Sequence, residues 1–242
     1  GKLVREAKVA HPDGTECDPR DWKSALDRAI ADVNNLEGVE ALSIGGQQHG
    51  AVTLDKDGQP IRKALLWNDT RSAKEALDLN EEFGGAQATA DAVGSLLVAS
   101  FTATKLRWIA DHEKENADKI AAVCLPHDYL SWKLTGSSDL NTLFTDRSDA
   151  SGTGYFDGVK NEYRRDLFNK ALRGRDAILP KILKPNEFGG EFNGIKIAPG
   201  AGDNAGAALG VGAVAGDVVV SLGTSGTAFA VSDTPTHDPS GT

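Results

Sequence analysis

The 242-residue sequence has no methionine and only two cysteines, Cys17 and Cys124. Neither cysteine stands in a Cys-x-x-Cys pair or beside histidines, which argues against a disulfide framework and a zinc site, so no metal ligand is assigned. A reducing compartment, the cytoplasm, is the expected setting. Long apolar runs are missing too: none approaches the roughly 20 residues that cross a bilayer, and no charged-then-apolar leader opens the chain, so no membrane partner is expected. Positive charge is scarce, with 26 Lys and Arg against 35 Asp and Glu and a formal net charge of −9. That balance opposes the broad basic surface that nucleic acid requires. What remains is ordinary globular material, 40% hydrophobic and 25% charged, enough for one large domain or two unequal ones. The missing methionine, and a start at Gly1-Lys2 that reads as half of a turn, lead to the expectation that these residues are part of a longer chain.

Turn chemistry and periodicity divide the sequence. Leu3 to Ala10 nearly alternates apolar and charged residues before His11-Pro12-Asp13-Gly14, which predicts a strand. Trp22, Ala25, Leu26, Ala29, Ile30 and Val33 recur at helical spacing behind Asp18-Pro19, a cap followed by proline at the first helical position. Val39 to Gly46 and Ala51 to Leu54 read as strands, so strand, helix and strand form an α/β pattern. Helices are expected over 71–82, 102–113, 129–134 and 164–172 from their apolar faces and charged backs. After Pro199-Gly200-Ala201-Gly202 come a small-residue helix over 205–209 and a buried strand, Val218 to Leu222. Gly223-Thr224-Ser225-Gly226 joins that strand to Thr227–Val231 as a hairpin. A domain boundary is expected near Gly212, separating 1–211 from 212–242.

Several segments could carry chemistry. The Gly-Thr-Ser-Gly turn exposes backbone N–H groups and two hydroxyls that can cradle a phosphate, or its glycines can simply serve positive φ. It is neither a Walker A loop, because no lysine follows, nor a dinucleotide fingerprint, because no helix follows. Gly202-Asp203-Asn204 opens a helix of small residues, where Asp203 is either a cap or a general base with Asn204 orienting a hydroxyl beside it. Gln47-Gln48-His49 stands between glycines at a strand end, where open α/β sheets bind ligands; His49 alone could be structural, but the adjacent glutamines suit sugar hydroxyls. Trp67, in Leu66-Trp67-Asn68-Asp69-Thr70-Arg71, offers an aromatic wall for a sugar, while Asp69 or Thr70 could cap the next helix. Asp146-Arg147-Ser148-Asp149, before Ala150-Ser151-Gly152-Thr153-Gly154, reads as a salt-bridged loop without a catalytic role, or its small residues line the cleft floor.

In order, the segments GGQQHG, ALLWNDTR, SFTATKLRWIADH, LPHDYLSWKLTG, TDRSDASGTGYFD, GAGDNAGAALGVGAV and SLGTSGTAFAVS resemble the FGGY carbohydrate kinases over nearly the whole chain. Thr102, Lys105, Trp108 and Asp111 are similar to the family's first signature. Gln-His-Gly and Trp-Asn-Asp-x-Arg look like the xylulose-specific branch and unlike the glycerol-specific one. The resemblance implies an α/β, actin-like ATPase (ribonuclease H-like) fold, a sugar-binding N-terminal domain followed by the start of a nucleotide-binding one, and ATP with Mg²⁺ as cofactors. It implies Asp203 as the base, His49 and Asn204 as sugar contacts, and Gly223, Thr224 and Ser225 as phosphate contacts; Gln48, where bacterial relatives often carry Met, and Trp67 complete the expected sugar wall. The activity it implies is ATP-dependent phosphorylation of an open-chain ketopentose, D-xylulose first, with ribulose, gluconate or a ketohexose as alternative substrates and a homodimer left open. The family's first hairpin, with its Asp-x-Gly-Thr motif, and its adenosine-binding segment have no counterpart here, so little kinase activity is expected of these residues alone. A non-catalytic sugar-binding relative and an actin-like ATPase of another kind are the competing classes.

Overall fold

Asp18 starts the first helix as its residue type predicts. In the computed structural model, which describes residues 2–222 and 226–241, its carboxylate accepts from Arg20 N at 2.9 Å. Helix α1 (Pro19–Val33) runs from there to Asn34, whose φ of 65° ends it. Before it, β1 (Glu16–Cys17) pairs antiparallel with β5 (Ala64–Leu65). Between them lie β2 (Ala41–Leu42), β3 (Gly45–Gly46) and β4 (Val52–Leu54). The next helices are α2 (Ala73–Glu82), α3 (Ala86–Val93), α4 (Thr102–His112) and the short α5 (Lys114–Ala117). Strand β6 (Ala122–Cys124) returns antiparallel to β4, with Val52 opposite Cys124.

Helix α6 (Pro126–Leu134) follows, with proline in its first turn. Then come β7 (Phe144–Thr145), α7 (Arg147–Ala150), the hairpin β8 (Phe156–Asp157) and β9 (Glu162–Tyr163), and α8 (Arg165–Ala171). Strand β10 (Lys181–Ile182) pairs parallel with β7. Strands β11 (Gly190–Phe192) and β12 (Ile195–Ile197) form a hairpin, and β12 lies parallel to β2. Strand β13 (Ala201–Gly202) lies parallel to β3 and leads directly into α9 (Asp203–Gly210). The hairpin β14 (Val218–Leu222) and β15 (Gly226–Ala230) ends the regular structure.

Two packed clusters hold these layers together. Trp22, Val52, Leu54, Tyr129 and Trp132 join α1, β4 and α6. Leu79, Leu106, Leu167 and Phe168 join α2, α4 and α8. Each large side chain buried this completely contributes roughly 1.5–3 kcal/mol. Trp132 also satisfies its indole by donating to Thr142 Oγ1 at 3.0 Å.

The sheet register positions the site. Lys196 and Ile197 face Ala41 and Leu42, but Ala201 and Gly202 face Gly45 and Gly46, so the later strand carries one extra residue within Ala198-Pro199-Gly200. This is a bulge in a parallel pair, the kind of device that re-aims a strand end.

Several local expectations need correction. Leu3 to Ala10 forms no strand; Leu3 and Val4 are exposed, and alternation without a neighbouring edge to pair with does not make a strand. Strand β14 is exposed instead of buried, with Val218, Val220 and Leu222 open to solvent, because among the described residues it pairs only with β15. Helix α3 is not among the expected helices, since its alternating alanines give a weak apolar stripe. Neither Asp69 nor Thr70 caps α2; its N-cap is Ser72, and Asp69 is held by Arg71. Asp146 to Asp149 is a short helix and its cap, not a loop, and its carboxylates pair with His127 and not with Arg147. Asp146 caps α7 through the backbone N–H groups of Ser148 and Asp149, and Arg147 donates to Gly158 O at 2.8 Å.

Candidate active site

Strands β3 and β13 end side by side, and the chain leaves each into polar residues. Gln48 and His49 follow β3, and Asp203 and Asn204 follow β13. Asn204 Nδ2 lies 3.4 Å from Gln48 Oε1, and Gln48 Nε2 donates to Ser148 O at 3.1 Å. Asp203 opens α9 with an exposed side chain, one residue past the N-cap Gly202, and its Oδ1 accepts from Asn204 N at 2.8 Å. The pair of readings left open for Asp203 thus meets a side chain that lies inside the first turn and faces solvent.

His49 is fixed from three directions. It adopts a left-handed φ of 69°. Its carbonyl accepts from Thr102 Oγ1 at 3.0 Å, and its ring packs on Phe101 with centroids 5.0 Å apart. Nδ1 lies 2.6 Å from Gly152 O, which assigns the proton to Nδ1 and leaves Nε2 able to accept. A Cβ on Gly152 would come within 2.8 Å of this ring, so glycine is needed there. Burial holds His49 below the ordinary histidine range, the bond to Gly152 opposes that shift, and Lys105 adds to it. A neutral imidazole suits hydrogen bonding to an uncharged polyol.

Trp67 stands half exposed at 50%. It lies two residues beyond the Ala51 to Leu65 bridge, and His49 lies two residues before it, so the antiparallel register carries both to one end of the pair. Gly223, Thr224 and Ser225 lie outside the described residues; the flanking strands β14 and β15 are paired with Leu222 opposite Gly226.

Of the four signature residues, Thr102 and Lys105 act at His49, while Trp108 and Asp111 hold arginines of neighbouring segments. Thr102 holds the His49 backbone. Lys105, fully buried, donates to the carbonyls of Ala99 and Ser100, and burial lowers its pKa to about 7. Trp108 lies under the guanidinium groups of Arg71 and Arg62, and Asp111 pairs with Arg173 at 2.6 Å.

Sequence reasoning missed a buried polar cluster beneath the site. His127 Nδ1 lies 2.7 Å from Asp128 Oδ1 and 3.5 Å from Asp149 Oδ2, and Nε2 lies 3.3 Å from Asp146 Oδ1. His127, Asp128 and Asp149 are each at most 1% exposed. Their donor atoms fall within 4.8 Å of one another, close enough to hold a cation. The imidazole at 2.7 Å from Asp128 already supplies a positive charge when protonated. Burial opposes that charge, but Asp128, Asp146 and Asp149 overcome it and hold His127 well above the ordinary histidine range. Burial drives Asp149 the other way for a carboxyl, well above its ordinary value, aided by Asp128 and Asp146 and opposed by His127. The only signal available in the sequence was charge inside otherwise apolar segments.

The family profile for the N-terminal domain of the FGGY carbohydrate kinases matches residues 2–222. The chain belongs to the FGGY family of carbohydrate kinases. Xylulose kinase of Streptomyces coelicolor is 44% identical over 256 aligned residues, covering 100% of this chain and 52% of that protein. Xylulose kinase of Escherichia coli is 37% identical, covering 92% of this chain and 47% of its own length. The crystal structure of xylulose kinase from Bifidobacterium adolescentis superposes with a TM-score of 0.90 at 44% identity, over 96% of this chain and 55% of that one. The chain therefore spans about half the length of the curated relatives it matches. The fold is that of the FGGY kinases, an actin-like α/β ATPase fold, represented here by its N-terminal domain. No helix among the described residues is long and apolar enough to cross a membrane.

Proposed function

We propose that these residues form the sugar-binding side of an ATP-dependent kinase that phosphorylates a terminal hydroxyl of an open-chain ketopentose, converting D-xylulose to D-xylulose 5-phosphate. The observation that carries this reading is the convergence of Gln48, His49, Asp203 and Asn204 at the paired ends of β3 and β13. Their chemistry is that of hydroxyl recognition. His49 Nε2 accepts from one sugar hydroxyl, the amides of Gln48 and Asn204 donate and accept around it, and Trp67 covers a C–H face.

Asp203 takes the proton of the attacking hydroxyl. The sugar oxygen forms its bond to the γ-phosphorus as the bond from that phosphorus to the bridging oxygen breaks, and ADP leaves with those electrons. Bound Mg²⁺ would neutralise charge on the phosphates. The group here that fits a metal-bound phosphate is the exposed Asp203 carboxylate; Gly223, Thr224 and Ser225, expected as phosphate contacts, lie outside the described residues. Carbohydrate kinases of this family use ATP, and xylulose kinases among the relatives favour the ketopentose. The reading extends to a cytoplasmic setting, which the buried, unpaired Cys17 and Cys124 suit, and leaves a homodimer open.

The test is a coupled ADP-release assay on a chain of the relatives' length carrying these residues, with xylulose, ribulose, gluconate and a ketohexose compared by kcat/KM. Xylulose should lead. Asp203→Asn should lower kcat by about 10² to 10⁴-fold, the usual worth of a general base, with the sugar Kd changed far less. A near-normal kcat in Asp203→Asn removes the base assignment, and preference for gluconate or a ketohexose moves the substrate to another branch of the family.

A further inference from the structure

His127 lies at the start of α6, yet it touches both strands that deliver the site. A Cβ on Gly46 would fall 2.9 Å from His127 Cβ, and one on Gly200 would fall 2.7 Å from His127 Cδ2. Both segments must therefore be glycine where they pass His127, Gly46 against its Cβ and backbone and Gly200 against its ring. Gly46 lies two residues before Gln48, and Gly200 lies three before Asp203 in the bulge.

From the far side of the ring a hydrogen-bond path leads back to the site. His127 Nε2 meets Asp146 Oδ1 at 3.3 Å. Asp146 Oδ2 accepts from Ser148 Oγ at 2.5 Å and from Ser148 N at 2.7 Å. Ser148 Oγ in turn accepts from Gly202 N at 3.1 Å, and Ser148 O accepts from Gln48 Nε2. The donors and acceptors alternate without conflict, so each bond polarises the next. Gly202 is the residue immediately before Asp203.

We propose that His127, as an imidazolium, is a positioning residue that anchors Asp146 and, through Ser148, fixes Gly202 and Gln48, and so sets where Asp203 and the sugar wall stand. The inference rests on the kinase reading above for its kinetic consequence only. The titratable groups facing the ring are Asp128 on its own helix and Asp146 and Asp149 from α7; β3 and β13 present uncharged backbone. Without the proton on His127, three carboxyl groups would share the pocket with no cation. The relevant charge is present below His127's raised pKa and is lost as pH climbs through it.

The experiment compares wild type, His127→Gln and His127→Lys in a chain of the relatives' length. Lysine restores a cation on a slim stem, whereas glutamine keeps polarity and removes charge. His127→Gln should lower kcat by about 10²-fold, the scale of a misplaced catalytic group, with the sugar KM moved much less. His127→Lys should recover most of that kcat and keep it to higher pH than wild type. Nitrogen-15 spectra of the labelled histidine side chains of the wild type should show both ring nitrogens of His127 protonated at neutral pH. Those spectra stand whether or not the protein phosphorylates xylulose, so failure of the kinase reading and of this one are separable. If His127→Gln does not fold, the lysine variant and the wild-type spectra still decide. A neutral imidazole, equal losses in both variants, or a Zn²⁺-dependent rise in the wild-type melting point that His127→Gln lacks would overturn the proposal, the last by showing a metal ion where the proton is assigned.

Discussion

Replacing Gly152 by alanine perturbs the candidate sugar wall without substituting any of its side chains. Gly152 has no positive φ, so alanine costs its backbone little, and the consequence falls on the neighbours. The new Cβ would lie 2.8 Å from His49 Nδ1 and Cε1 and 3.5 Å from Gln48 Nε2. Contact at 2.8 Å is too close for carbon against a ring atom, so the imidazole must tilt or withdraw. Its room to do so is limited by Phe101 on one face and by the Thr102 bond to its carbonyl. The 2.6 Å bond to Gly152 O is then lost or bent, and Nε2 no longer points where a hydroxyl should sit. Crowding of this kind costs about 1–3 kcal/mol. Loss of a polar contact to a buried ligand group is of similar size, about 1–3 kcal/mol, which corresponds to roughly 5 to 150-fold in xylulose Kd. Isothermal titration of xylulose into wild type, Gly152→Ala, His49→Ala and the double variant measures it. Because both single changes act through one imidazole, the double variant should bind little worse than His49→Ala alone. Wild-type affinity in Gly152→Ala, or losses that simply add, refutes the argument that Gly152 serves His49.

Two further outcomes follow from the same geometry. Lys105 has its pKa lowered to about 7 by burial, while the unfolded chain keeps lysine at about 10.4. Between those values the unfolded state binds the extra proton, so this group makes stability rise with pH, by about 1.4 kcal/mol per unit at most. Urea midpoints at pH 7 and pH 9 should therefore rise less in Lys105→Met than in wild type, and parallel changes would contradict the assignment. Trp67→Ala should weaken xylulose binding several-fold while leaving the melting point nearly unchanged, since the ring is half exposed; a lowered melting point with intact binding would make it structural instead.

What could be read from the sequence was local. Asp18-Pro19 announced α1 because capping and proline's fixed φ act within one turn, and the glycines around Gln48 and His49 marked a strand end for the same reason. Strand Leu3 to Ala10 failed because pairing depends on a neighbour that alternation cannot supply. The cluster of His127, Asp146 and Asp149 was hidden because 19 residues separate His127 from Asp146. A buried carboxylate carries meaning only once its partners are known, and spacing in the chain says nothing of them. The seven ordered motifs did better, since order along the chain reflects the whole fold at once.

The bulge between β12 and β13 shows how such hidden features determine the site. Side chains along a strand alternate faces, so one residue more or fewer turns every later side chain to the other side. Pro199-Gly200 looked like punctuation before a helix. In the folded chain Gly200, at φ 96°, lets the strand pass over His127 while gaining that residue. Gly202 N thereby meets Ser148 Oγ, and the next residue is Asp203. Had the pairing continued in the register that sets Ile197 opposite Leu42, Gly200 would have stood opposite Gly45 and Ala201 opposite Gly46, and the strand would deliver its opposite face to the cleft. The catalytic assignment of Asp203 therefore depends on a residue inserted three positions earlier and on the ring that only a glycine can clear.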